Sequence, residues 1–172
     1  MIQTDRLILD IPRPGDFEKY YGIHSDPQTN LFNPAGPMDI EKALETFDKL
    51  ISHWENYQFG AWTIKRKDTK QIIGFGGLSY RLYGEEVQLN LGYRLEKDVW
   101  GHGFATEVSK HAIIFGFAIL NVPGIFALVR PQHSASIKVL EKCSMRFFGT
   151  LNDVPNEAYS LVYVIENPAH FC

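Results

Sequence analysis

The segment Trp100-Gly101-His102-Gly103-Phe104-Ala105-Thr106 places two glycines between a strand-like run and a long stretch of helical periodicity. Such a turn lets backbone N–H groups converge, and the helix that follows adds its unpaired first-turn donors and the positive end of its dipole. The chemistry this suits is the holding of an anion. Side chains do not help, because Arg94, Lys97 and Lys110 are opposed by Glu96, Asp98 and Glu107. Backbone amides must therefore do most of the holding, at about 1.5–3 kcal/mol for each hydrogen bond to a charged group. The glycines alone fit a plain strand-to-helix turn equally well. A nucleotide P-loop is ruled out, since it needs Lys-Ser or Lys-Thr after its last glycine, where Phe104-Ala105 stands. Gly74-Phe75-Gly76-Gly77 continues into a strand and opens no helix, which marks it for strand packing.

The elements that must position this turn are readable on both sides of it. Glu86 to Leu95 alternates, with Val87, Leu89, Leu91, Tyr93 and Leu95 on a core face and Glu86, Gln88, Asn90 and Arg94 on a face expected to be wet. Gly92 interrupts the polar face and marks a bulge or a close approach. From Gly103 to Leu120 the spacing becomes helical through Ala105, Val108, Ala112, Phe115 and Ile119. Arg6 to Ile11, Phe59 to Lys65, Gln71 to Tyr80, Ile125 to Arg130, Arg146 to Leu151 and Tyr159 to Ile165 read as further strands. Pro14 opens a helical segment to about His24, and Asp39 can cap a helix through Phe47, Leu50, Ile51 and Trp54. Ser134 or a neighbour can cap a last helix with Ile137, Val139, Leu140 and Cys143 inward. Asn30 to Pro37 is the loosest loop. Helices among a meander of strands predict a mixed sheet rather than a doubly wound one.

The 172 residues are 45% hydrophobic and 22% charged with a net charge of -3, an ordinary mix for one folded domain spanning 1–172. No basic cluster suits a nucleic-acid backbone, and Lys65, Arg66 and Lys67 read as a strand end running into a solvated turn. No apolar run reaches the roughly 18 residues of a spanning helix, and Met1 to Arg6 lacks a secretory core, so no membrane partner and a cytoplasmic location are expected. Cys143 and Cys172 have no metal-ligand spacing, and no metal is expected; Cys143 reads as core and Cys172 as incidental.

Three stretches taken together resemble the signature of the GNAT superfamily of N-acetyltransferases: Leu91-Gly92-Tyr93-Arg94-Leu95, Trp100 to Glu107, and Arg130-Pro131-Gln132-His133-Ser134-Ala135-Ser136-Ile137-Lys138-Val139-Leu140-Glu141-Lys142. They look most like the branch containing the ribosomal-protein N-terminal acetyltransferases. Thr4-Asp5-Arg6-Leu7-Ile8-Leu9 fits that branch too, so the resemblance covers nearly the whole chain. It implies an α/β (α+β) fold with a mixed, mostly antiparallel central sheet of about seven strands and about four flanking helices. It implies acetyl-CoA (coenzyme A) as cosubstrate, with the pyrophosphate on Trp100, Gly101, His102, Gly103, Phe104, Ala105 and Thr106. Trp100 replaces the family's usual first residue, while Gly103 and Ala105 match. The pantetheine arm would pair with Tyr93, Arg94 and Leu95 and reach His133 and Ser136, although His133 stands where the family has an asparagine.

The same resemblance implies transfer to an amine-bearing acceptor, a protein N-terminus or a small molecule, in a ternary complex formed by a monomer or homodimer. Ser136 matches the serine assigned to the departing thiolate; a hydroxyl satisfying the first helical turn is the alternative. Leu140 stands where many members have a proton-donating tyrosine. Asn90 stands where the strand often carries a glutamate, and it can hold a water but take no proton. Glu86 is roughly 13 Å further along the strand, too far to substitute. Glu157 lies where this branch supplies a carboxylate, although it reads more readily as a solvated hairpin acid. Positioning alone can supply about 7–11 kcal/mol, so a missing base does not exclude catalysis. The loss of glutamate at Asn90 and tyrosine at Leu140 leaves a catalytically silent CoA-binding regulatory module as the alternative. The loops 30–37 and 152–157 would border the acceptor groove.

Overall fold

A computed structural model describes residues 1–170. Eight strands, β1 (Ile2–Gln3), β2 (Leu7–Asp10), β3 (Ala61–Arg66), β4 (Ile72–Tyr83), β5 (Glu86–Leu95), β6 (Gly124–Val129), β7 (Arg146–Leu151) and β8 (Ser160–Glu166), form one sheet in the order β1-β2-β3-β4-β5-β6-β8-β7. Four helices accompany them: α1 (Phe17–Ser25), α2 (Ile40–Tyr57), α3 (Phe104–Ala118) and α4 (Ser134–Lys142). Every strand pair is antiparallel except β5 with β6. The mixed, mostly antiparallel class is the expected one, with one more strand than the sequence showed. That strand, β1, has two residues, too few to display a period.

Two apolar layers fix the helices to the sheet. On one face α3 and α4 pack through Phe104, Val108, Ala112, Leu140 and Cys143 against Ile64, Leu78, Leu91 and Ile125. On the other, α1 and α2 pack through Tyr20, Ile23, Ala43 and Phe47 against Phe75. Asp39 caps α2 by accepting from the Lys42 N–H at 2.7 Å. Before α1 the chain makes a 3₁₀ turn at Pro14–Asp16, and Asp16 Oδ2 accepts both the Arg13 N–H and the hydroxyl of fully buried Thr63, pinning the helix start to β3.

Two sequence expectations are corrected here. Ile119 is the C-cap of α3, its N–H still bonded to the Phe115 carbonyl, and is 68% exposed: it keeps the helical period but lies past Gly116, the last buried residue of the helix. The polar face of β5 is wet only toward the hairpin, at exposed Glu86: Asn90 is buried beside Tyr83 and Arg94 is half-buried against Asn30 of the loop after α1, while Val87 on the apolar face is exposed. Alternation reports which residues share a face, and the helices decide which faces are covered. Cys143 is buried in the core; Cys172 lies outside the described residues. Among the described residues no helix is long and apolar enough to cross a membrane.

Candidate functional site

The parallel pair β5–β6 registers at one position, Asn90 with Phe126, and the strands then part. Leu91 to Leu95 are laddered to β4 on one side, leaving the β6 side of the strand without a β partner. A strand edge with free backbone groups accepts an extended ligand as an added strand. Gly76 of β4 lies so close to Tyr93 that a Cβ there would meet Tyr93 Cα at 2.8 Å, so the glycine-rich part of β4 serves packing behind this edge.

At the end of that opening stands the glycine turn. Gly101 and Gly103 have φ of 78° and 80°, the left-handed region that suits glycine, and Gly103 is the N-cap of α3. The backbone N–H groups from Gly101 to Thr106 find no protein acceptor among the described residues. The turn is braced from both ends. The Trp100 Nε1–H donates to the Leu95 carbonyl at 3.0 Å, tying the turn to β5. Glu107 accepts from the Thr4 hydroxyl (2.6 Å), the Arg6 N–H (2.8 Å) and Arg6 Nε (2.7 Å), while Arg6 Nη1 donates to the His102 carbonyl at 2.8 Å. Burial pushes the Glu107 carboxyl up, but these hydrogen bonds outweigh it and hold it below the usual carboxylate range. Arg6 also lies 4.5 Å from the centre of the Phe104 ring.

A hydroxyl relay faces the opening from α4. The Tyr93 phenol donates to Ser136 Oγ at 3.2 Å, and Ser136 Oγ lies 3.3 Å from His133 Nε2. Burial raises the Tyr93 pKa to about 12, with the Ser136 contact pulling the other way, so the phenol keeps its proton. His133 falls below its ordinary value through burial and then the Arg94 charge, and is neutral near pH 7. His133 is the N-cap of α4 without a side-chain cap bond, and Ser136 bonds side chains rather than backbone. With Tyr93 donating, the Ser136 proton is free to point to His133 Nε2 or to an incoming acceptor.

On the other face of β5 a second polar group gathers. The Tyr83 phenol donates to Asn90 Oδ1 at 2.7 Å, and Tyr83 titrates above its ordinary range through burial, against the Arg81 charge and with that of Asp153. Asp153 lies 3.7 Å from both Arg81 and Arg130, and its Oδ1 is buried without a hydrogen bond. Glu157 is half-exposed and lies 3.6 Å from Arg130.

Residues 6–146 match the model of the acetyltransferase (GNAT) domain family. The chain belongs to the GNAT acetyltransferases. It is 29% identical over 152 residues to YoaA of Bacillus subtilis, an N-acetyltransferase by name and otherwise uncharacterised, covering 88% of this chain and 85% of the relative. Among solved structures, an acetyltransferase from Agrobacterium tumefaciens superposes with a TM-score of 0.82 at 25% identity, over 96% of this chain and 93% of the other. The fold is also shared with spermidine N-acetyltransferase from Vibrio cholerae, solved with CoA and spermine, at a TM-score of 0.75 and 19% identity over 98% of this chain and all of the other.

Against this GNAT frame, the predicted residues divide in space. Tyr93, Leu95, Trp100 to Thr106, His133 and Ser136 surround the β5–β6 opening on the α3–α4 face. Arg94 shares the strand, but its side chain leaves on the α1 face, where Nη1 donates to Asn30 Oδ1. Asn90 is on that face too, and Glu157 is tied to it through Arg130. The role of the Tyr93 hydroxyl and the whole of Asp153 escaped sequence reasoning. Tyr93 reads as one apolar member of an alternating strand, with nothing to signal that its hydroxyl meets Ser136. Asp153 sits in a stretch of turn-forming residues, and only the packing of the β7–β8 connection beside β6 reveals its buried oxygen.

Proposed function

We propose that this GNAT protein transfers an acetyl group from acetyl-CoA to a primary amine by direct attack in a ternary complex. The observation that carries this reading is the run of unpaired amides from Gly101 to Thr106 at the mouth of the β5–β6 opening. A left-handed double-glycine turn at a helix N-terminus suits a pyrophosphate, and the free edge at Leu91 to Leu95 suits the amide-bearing arm behind it.

The reaction forms a C–N bond, breaks a C–S bond, removes a proton from the amine and delivers one to sulfur. Ser136 is the group for the sulfur: its proton is free, and Tyr93 stabilises the oxygen it leaves behind. Asn90 and Asp153 lie on the amine side. Asp153 is the better carboxylate than Glu157, being the more buried and having an oxygen with no hydrogen bond. It acts directly or through a water held with Asn90. Leu140 is buried and contributes packing only. A hydroxyl at the matched position, Ser136, and a carboxylate at a position the sequence did not mark, Asp153, favour catalysis over a silent module.

The test is release of free thiol from acetyl-CoA in the presence of a panel of primary amines, with CoA binding followed in parallel by thermal shift. Free CoA at about 100 times its dissociation constant should stabilise the protein by about 2.7 kcal/mol. Absence of any shift at millimolar CoA would sink the whole reading; binding without thiol release would leave a silent module.

A further inference from the structure

Arg94 is the arginine whose charge the protein does not answer. Five of the other six, Arg6, Arg66, Arg81, Arg130 and Arg146, lie against a carboxylate, and Arg13 is exposed. Arg94 is half-buried and, among the described residues, forms no ion pair. Its neighbours are neutral. Tyr20 keeps its proton, with burial pushing its pKa up. His24, stacked on Tyr20 at 3.8 Å, donates from Nδ1 to the Tyr20 carbonyl, and burial followed by the Arg94 charge holds its pKa at about 4. His133 is neutral for the same two reasons.

The guanidinium is nonetheless carefully aimed. It has five N–H donors, and Nη1 donates to the side-chain oxygen of buried Asn30. Asn30 is fixed in that orientation because its amide nitrogen donates to the His24 and Asp26 carbonyls at 2.8 and 2.9 Å. The other donors are not sealed in: the buried side-chain polar atoms without a partner are Ser109 Oγ and Asp153 Oδ1 among the described residues. A desolvated cation held in place with donors still open is complementary to an anion, and the planar fork suits a carboxylate.

The cofactor phosphates do not meet this need. Arg94 leaves β5 on the α1 face, whereas the glycine turn opens α3 on the opposite face. Its surroundings belong instead to the amine side. Asn90 is four residues back on the same face, about 13 Å at strand rise. Phe32, from the same loop as Asn30, stacks on His133 at 4.4 Å, so this loop reaches from Arg94 to the edge of the β5–β6 opening. At the far end Asp153 offers a buried oxygen to an ammonium group.

We propose that Arg94 is a specificity residue that binds a carboxylate of the acceptor, so that the amine acetylated here belongs to a free amino acid. This rests on the acetyl-transfer reading above. Polyamines, with cationic charge along their length, are disfavoured by the same guanidinium.

The experiment compares free α- and ω-amino acids with their amides, their decarboxylated amines and spermidine as acceptors, reading thiol release from acetyl-CoA. Amino acids should exceed the matched amines in kcat/KM by at least about tenfold, since a site built around a charged group rejects analogues that lack it. Arg94→Gln should abolish that preference through KM, with kcat changed less and CoA affinity by calorimetry within about twofold of the parent. Arg94→Lys, which keeps the charge without the fork, should recover part of the preference. The ranking in the parent protein is decisive even if a variant folds poorly. Equal or better turnover of amides, amines or spermidine overturns the proposal and leaves acetyl transfer standing. So does an Arg94→Gln variant that binds CoA more weakly and keeps the acceptor ranking. Thiol release with no amine at all, despite CoA binding, overturns the underlying reading and this proposal with it.

Discussion

Ser136 draws its meaning from what it touches. A helix-capping serine spends its hydroxyl on backbone amides; this one spends it on Tyr93 and His133. Ser136→Ala should therefore lower turnover by roughly 10²–10⁴-fold, the usual worth of a positioned acid, with CoA affinity nearly unchanged. Its cost in stability should fall below the about 0.5–2 kcal/mol of a lost cap. Steady-state kinetics and urea unfolding on one preparation check both, and a stability loss with intact turnover would remove Ser136 from the mechanism. The motif made Ser136 legible in the sequence, whereas its partner was hidden. Tyr93 sits 43 residues away, on a strand where its ring satisfies the apolar alternation and its hydroxyl leaves no trace. Asp153 was hidden for a related reason: a carboxylate among turn residues looks solvated until the fold buries it.

At the scale of elements, the glycine turn depends on a chain segment nearly a hundred residues before it. Thr4 and Arg6 hold Glu107 in the first turn of α3, and Arg6 holds the His102 carbonyl, so the β1–β2 connection fixes the turn whose amides are proposed to hold the cofactor. Glu107→Gln replaces one acceptor oxygen by a donor facing Arg6 and should cost about 1–3 kcal/mol of stability, read by urea unfolding. CoA affinity should fall with it. Gly103→Asp should abolish CoA binding in a folded protein, because it sets a carboxylate at the proposed pyrophosphate site and imposes a Cβ on a φ of 80°. Gly103→Ala should bind more weakly than the parent yet detectably. Calorimetric titration with CoA ranks the three. Element boundaries around this site were largely legible: β5 begins and ends at the predicted Glu86 and Leu95, and Asp39 caps α2 as its position suggested. What periodicity did not convey was coverage. Asn90 and Arg94 read as wet because they are polar, but Tyr83 of β4 meets Asn90 and the loop after α1 meets Arg94.

For the molecule as a whole, the α1 layer carries an acid-sensitive joint. His24 stacks on Tyr20, approaches Phe75 of β4, and through its carbonyl receives Asn30 Nδ2 and the Met38 N–H, linking α1, the sheet and the loop over the site. Burial first and the Arg94 charge second lower its pKa from 6.5 to about 4 in the folded protein. The folded state therefore resists a proton that the unfolded chain accepts below 6.5. Between these values the unfolded state binds more protons, so stability rises with pH across that interval. The contribution of His24 is fully present above 6.5, declines as the pH falls, and is lost by about 4, up to about 3 kcal/mol in all. The depressed carboxyls of Asp10 and Glu107 have the same sign but act lower, since their stabilisation fades only as the pH falls through and below the ordinary carboxylate range. Urea unfolding at about pH 7 and about pH 4.5 captures most of the histidine loss and little of that of the carboxyls; His53, His111 and His133, also lowered by burial, act in the same interval, so the share of His24 is the difference between parent and variant. His24→Phe keeps a ring on Tyr20 and removes the titrating group, so its stability should change far less between the two conditions than that of the parent. An equal acid loss in parent and variant would place the sensitivity elsewhere and show His24 to be accessible to protons in the folded state.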